Sequence, residues 1–158
     1  MNLCPRESRF DMARDTTSGK EYEGIVELCI ERSCRLNGLS KRPQAIVGLK
    51  PGGGRHIVDW ELWSTNDENR RGLLSCKVQH TSGTAEEKIP FEILKLLETM
   101  NADRRYKISW VVLGGMGWNP GLLKFYRDDL PRYIPEMVGR VQILRTDDLI
   151  SAVLKLPE

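Results

Sequence analysis

Apolar residues recur at helical spacing between Lys20 and Asn37, where Tyr22, Ile25, Val26, Leu28, Cys29 and Ile30 fall on overlapping turns and Asn37-Gly38 supplies a stop. This first helix carries Glu23, Glu27 and Glu31 along one side. The period then changes from helical to two. Gln44 to Leu49 reads as a strand, Pro51-Gly52-Gly53-Gly54 as a turn, and His56 to Trp63 and Leu73 to Gln79 as the two arms of a hairpin closed by a polar turn. A second helix is expected over about 85–100, with Ile89, Ile93, Leu94, Leu96 and Leu97 as its buried face, Thr84 as its cap and Glu87 at capping-box spacing. Pro90 marks a first turn near Ile89, since proline is tolerated at a helix start and not inside. Lys107 to Leu113 reads as a buried strand ended by a glycine-rich loop. A short helix over 122–130, a strand over 141–144 and a last helix over 147–156 follow. A mixed sheet flanked by helices is the natural packing for this order.

Alternation puts Asp59 and Glu61 on one face of the first hairpin arm, opposite to Val58, Trp60 and Leu62, and puts Ser75, Lys77 and Gln79 on one face of the second. With the turn centred near Glu68, Asp59 lies across from Lys77 and Glu61 across from Ser75, with Cβ atoms roughly 5 Å apart. Hydrolysis of a phosphodiester needs a hard cation held by carboxylates, and a nearby ammonium to stabilise developing charge or orient the nucleophile. Asp59, Glu61, Lys77 and Gln79 are such a set, and Glu23 could complete it from the helix.

Those residues carry a resemblance. Glu23 in an opening helix, Asp59 in the second strand, and Ser75-Cys76-Lys77 with Gln79 in the third resemble the PD-(D/E)xK nuclease superfamily, over residues 20–156 by element order. Val58 stands where the family's proline is expected, and Ser75 where an acid is usual. The SxK variant implied by Ser75 takes its acid from the downstream helix, from Glu87 or Glu92; Glu61 is the other candidate. The resemblance implies a restriction-endonuclease-like α/β fold, Mg²⁺ as cofactor with Mn²⁺ substituting, double-stranded DNA as substrate, and a homodimer or higher oligomer. It makes the chain an endonuclease of restriction type, with a homing enzyme, a junction resolvase or a DNA-binding module that has lost its acid as alternatives.

Length and composition are compatible with that reading. At 158 residues the chain fits one domain (19–158) behind an N-terminal arm (1–18), enough to bury roughly 70% of the unfolded surface. The formal charge of +2 announces no nucleic-acid binder by itself, but cations cluster at Lys41-Arg42, Arg70-Arg71 and Arg104-Arg105 with Lys107. Arg70, Arg71, Arg104, Arg105 and the loop residue His80 are therefore the expected DNA contacts. Four cysteines without a CxxC pair and two histidines off zinc-ligand spacing argue against structural zinc and a disulfide framework. With no run of about 18 apolar residues and no signal-peptide pattern, an intracellular soluble protein is expected. Gly114-Gly115-Met116-Gly117 follows a strand but lacks the spacing of a dinucleotide loop.

Overall fold

A computed structural model describes residues 17–158, with side chains from Lys20 onward. Helix α1 (Thr17–Asn37) turns at Gly38, whose φ of +60° suits a residue without Cβ, straight into β1 (Leu39–Leu49). β2 (Arg55–Ser64) and β3 (Arg71–Val78) form the hairpin. After a single 3-10 turn come α2 (Ile89–Ala102), β4 (Tyr106–Gly114), α3 (Pro120–Lys124), irregular helical turns, β5 (Val141–Arg145) and α4 (Thr146–Ser151). The arm expected at 1–18 falls almost wholly outside the described residues.

The sheet runs β1-β2-β3-β4-β5, antiparallel across the first three strands and parallel across the last three. β4 is an interior strand buried on both faces, as a continuous apolar run demands: Val111 and Leu113 join the core under α2, Ile108, Trp110 and Val112 the core under α1. The α2 side also holds Ile89, Ile93, Leu96, Leu97 and Met100 together with Trp118, Leu123 and Tyr126. The α1 side holds Tyr22, Val26 and Ile30 with Leu149, Leu154 and Leu156. This is the restriction-endonuclease-like mixed sheet flanked by helices expected above.

Several local expectations are corrected. β1 begins five residues early, at Leu39. The expected cap at Thr84 and box at Glu87 do not form: α2 starts at Ile89 with Pro90 in its first turn and no side-chain cap, after a 3-10 turn over Glu86–Lys88. The last helix ends at Ser151, and the tail beyond it, outside any helix or strand, buries Leu154 and Leu156.

The hairpin register also differs by two. Glu61 pairs with Leu73 and Trp60 with Leu74. The cause is the turn. Asp67 accepts the backbone N–H of Asn69 on its side chain at 2.9 Å and that of Arg70 on its carbonyl at 3.0 Å, so the turn centres on Asp67. Ladder pairing stops at Trp60/Leu74, and alternation breaks at the next residue: Val58 belongs to the α2-side core, Trp60 and Leu62 to the α1-side core. Gln44, bracketed by the pairs Pro43/Trp60 and Ala45/Val58, adopts φ +48°, uncommon for a residue with a Cβ. Both strands therefore switch faces at the Gln44/Asp59 level.

Candidate active site

Where β2 and β3 part, the Asp59 side chain replaces the missing ladder: Oδ2 accepts the Cys76 backbone N–H at 2.6 Å. A carboxylate aligned by a backbone donor is held in one orientation. Among the described residues its other oxygen has only a 3.5 Å approach from Gln44 Nε2. Burial first, and then the adjacent Asp59 charge, push the Cys76 thiol up, and Glu23 on α1 adds to the same effect. Glu23 is itself exposed, so it borders this patch from the α1 side.

One residue earlier on β3, a second carboxylate arrives from the helix. Ser75, buried at 2% exposure, donates its hydroxyl to Glu92 Oε1 at 2.9 Å. Lys77 Nζ donates to Ser75 Oγ at 3.1 Å and lies 3.3 Å from Glu92 Oε2, while Lys95 Nζ lies 2.6 Å from that same oxygen. Burial raises the Glu92 carboxyl, but Lys77, Lys95 and the Ser75 hydrogen bond together outweigh it and hold Glu92 below the usual carboxylate range. Ser75 is thus a hydrogen-bonding bracket for an acid on α2. Glu92, in the first turn of α2, faces β3; Glu87 lies exposed on the preceding 3-10 turn. The difference follows from where Pro90 starts the helix, which sets the phase of every later residue. Lys77 turns toward Glu92, and among the described residues no ion pair joins it to Asp59.

Several of the remaining expected site residues are engaged elsewhere. Glu61, 0% exposed, accepts hydrogen bonds from Tyr106 Oη at 2.8 Å and Arg71 Nη1 at 2.9 Å and pairs with Arg42. Burial alone would raise its carboxyl, and those three donors more than offset it, leaving Glu61 below the ordinary range. It knits β1, β2, β3 and β4 together, two residues along β2 from Asp59. Arg71 also donates to the Glu68 carbonyl, and Arg70 clamps the carbonyls of Leu156 and Pro157 at 2.9 Å each. These two expected DNA contacts hold the hairpin turn and the tail. Arg104, Arg105 and His80 are all exposed, and Arg105 pairs with Asp103. Gln79 is buried: its Nε2 donates to Gly117 O at 2.8 Å and its Oε1 accepts from Ala85 N at 3.1 Å. Gly117 belongs to the glycine loop, where a Cβ would come within 2.5 Å of the Thr81 backbone, so those glycines serve close packing beside β3. Trp118 packs inside, donating Nε1–H to Gly114 O at 2.7 Å.

Two residues of the site were not singled out in the sequence. Lys95 follows Glu92 at i,i+3, a spacing that signals adjacency on one helix face. His56, 1% exposed, places Nδ1 2.7 Å from Thr99 Oγ1, and its Nε2 is the buried side-chain nitrogen or oxygen without a hydrogen-bond partner among the described residues. Burial, then Lys95, bring its imidazole down to about 4, so the ring is neutral at pH 7.

An α/β domain that anchors two carboxylates on consecutive strand residues, with an ammonium beside one of them, has the parts of a metal-assisted phosphodiester hydrolase. The family model for a PD-(D/E)XK nuclease superfamily domain matches residues 54–153, more than half of the chain, and the chain belongs to that superfamily. No curated protein and no solved structure matches it. Members of the superfamily generally use divalent metal ions. Among the described residues no group of three or more His, Cys, Asp or Glu side chains is placed to hold one. Two carboxylates nonetheless suit a hard cation such as Mg²⁺, which takes one or two protein carboxylates and fills its shell with water and substrate phosphate. Among the described residues no helix is long and apolar enough to cross a membrane.

Proposed function

We propose that the chain is a metal-dependent endodeoxyribonuclease in which Asp59 and Glu92 hold the cation and Lys77 is the catalytic ammonium. The observation that carries this reading is the Ser75–Glu92–Lys77 arrangement, which brings a carboxylate to the position left without one on β3. When bound, a divalent ion such as Mg²⁺, or Mn²⁺ in its place, polarises the phosphoryl oxygens and lowers the pKa of the attacking water. Asp59 is oriented for this by the Cys76 N–H, and Glu92 by the Ser75 hydroxyl. Lys77 sits on the same face as Glu92, where its ammonium can stabilise charge developing on the phosphate or orient the nucleophile. Gln79 acts indirectly, pinning the end of β3 to the 114–117 loop and to Ala85. Glu23, Arg104 and His80 are exposed groups free to meet a duplex. Glu61 and Glu87 take no part in holding the ion.

Double-stranded DNA is the proposed substrate, and a restriction-type enzyme acting as a homodimer is the proposed form, since two symmetry-related centres cut both strands most simply. The test is incubation of supercoiled plasmid with Mg²⁺ and the wild-type, Asp59→Ala, Glu92→Ala or Lys77→Ala protein. Wild type should nick or linearise the plasmid, and all three variants should lose that activity while still unfolding cooperatively. Unchanged cutting by Glu92→Ala would refute the assignment of the second acid.

A further inference from the structure

Glu92 Oε2 is shared by two ammonium groups, Lys95 at 2.6 Å and Lys77 at 3.3 Å. The two lysines are differently placed. Lys77 is also tied to Ser75 Oγ at 3.1 Å and belongs to β3, whereas Lys95 has Glu92 as its one ion-pair partner among the described residues. With Asp59 and Glu92 set against Lys77 and Lys95, the unliganded site is formally neutral, so its carboxylates exert little net pull on an approaching divalent ion. A divalent ion and an ammonium brought to the same carboxylate repel each other, so the two compete for Glu92.

We infer that Lys95 is an internal counter-cation of the metal site: its ammonium occupies Glu92 Oε2 in the free protein and competes there with a divalent ion. The inference rests on reading Asp59 and Glu92 as the cation-holding pair. Lys95 is able to leave, because its side chain is 18% exposed and a change of rotamer carries the ammonium into water. Lys77 and the Ser75 hydroxyl still face the Glu92 carboxylate without it. Lys95 is therefore a positioning residue that sets how tightly the site takes metal.

Removing a competitor tightens binding by mass action, which fixes the sign of the test. Ca²⁺ binding to the whole chain is measured by calorimetry without DNA, for wild type, Lys95→Gln, Lys95→Met, Lys95→Arg and Glu92→Gln. Both neutral variants should bind Ca²⁺ at least about fivefold more tightly than wild type, the range of a modest coupling between sites. Lys95→Arg, which keeps the competing charge, should stay within about twofold, and Glu92→Gln should lose binding. Affinity in the neutral variants equal to or weaker than wild type overturns the inference. So does failure of both to give a cooperative unfolding transition without metal, because Lys95 would then be a clamp of α2. The nuclease reading is judged separately. Plasmid cutting with unchanged Ca²⁺ affinities leaves the nuclease standing and removes the counter-cation, whereas tighter Ca²⁺ binding in a protein that cuts no DNA does the reverse.

Discussion

Replacing Glu61 by glutamine separates a carboxylate that holds the sheet together from one that would hold metal. The side chain is fully buried and receives Tyr106, Arg71 and Arg42. Hydrogen bonds to a charged group are each worth about 1.5–3 kcal/mol, and desolvation of the carboxylate offsets part of that sum. Glutamine keeps the shape and one acceptor but turns an NH₂ toward a guanidinium. Arg42, 56% exposed, recovers much of its loss in water, whereas Arg71 at 16% does not. A loss of about 2–4 kcal/mol follows, which for a chain of this size lowers Tm by roughly 5–15 °C. The pH dependence has a definite sign. Glu61 is held below its ordinary 4.5, so its contribution is complete above that value and is lost as pH falls through the folded value. The gap between wild type and Glu61→Gln should therefore narrow on acidification below about pH 4.5. Thermal unfolding from pH 3 to 8 and Ca²⁺ calorimetry on the same samples measure both properties. A Tm within about 1 °C of wild type, or intact stability with abolished Ca²⁺ binding, would return Glu61 to the metal site and refute this assignment.

Ser75→Ala should slow cleavage by about tenfold and spare Ca²⁺ binding in part, because it unties Glu92 Oε1 without removing the acid; a rate equal to wild type would show that the bracket is dispensable. His56 falls from an ordinary 6.5 to about 4 on burial. Its folded pKa lies below its unfolded one, so stability is full above about pH 6.5 and as much as about 3 kcal/mol is lost as pH falls toward 4. His56→Leu should flatten the Tm profile in that window, and an unchanged slope would contradict the buried neutral ring. DNA binding in Ca²⁺ should weaken steeply between 50 and 200 mM salt as phosphate contacts release counterions; a flat dependence would count against a polyanion substrate.

Much of the fold was legible because it depends on local periodicity. Val26 and Ile30 on α1, Ile93, Leu96 and Leu97 on α2, and the apolar run of β4 all lie in the core that their spacing implied. Pro90 marked the start of α2 correctly. The site was legible in part. Asp59, Ser75 and Lys77 lie where the strands part, but side-chain alternation says only which face a residue takes if the strand stays regular. It could not announce the face switch at Gln44 and Asp59, nor the Asp67 turn that moves the register by two and seats Glu61 opposite Leu73. Arg70 and Arg71 looked like substrate contacts because their partners, the Leu156 and Pro157 carbonyls and Glu61, are remote in sequence or only folded into reach.

Taken alone, the chain determined its elements, their order, and a β3 that carries a lysine and a hydroxyl where an acid is usual. Those follow from the periods of helix and strand and from residue chemistry, both local. Only the tertiary structure decided which glutamate stands beside Lys77. Glu61, Glu87 and Glu92 are alike as carboxylates. The choice among them was made by the turn geometry that sets the hairpin register, the helix phase that begins at Ile89, and the burial that makes an unpaired charge too costly to leave without Ser75, Lys77 and Lys95 around it.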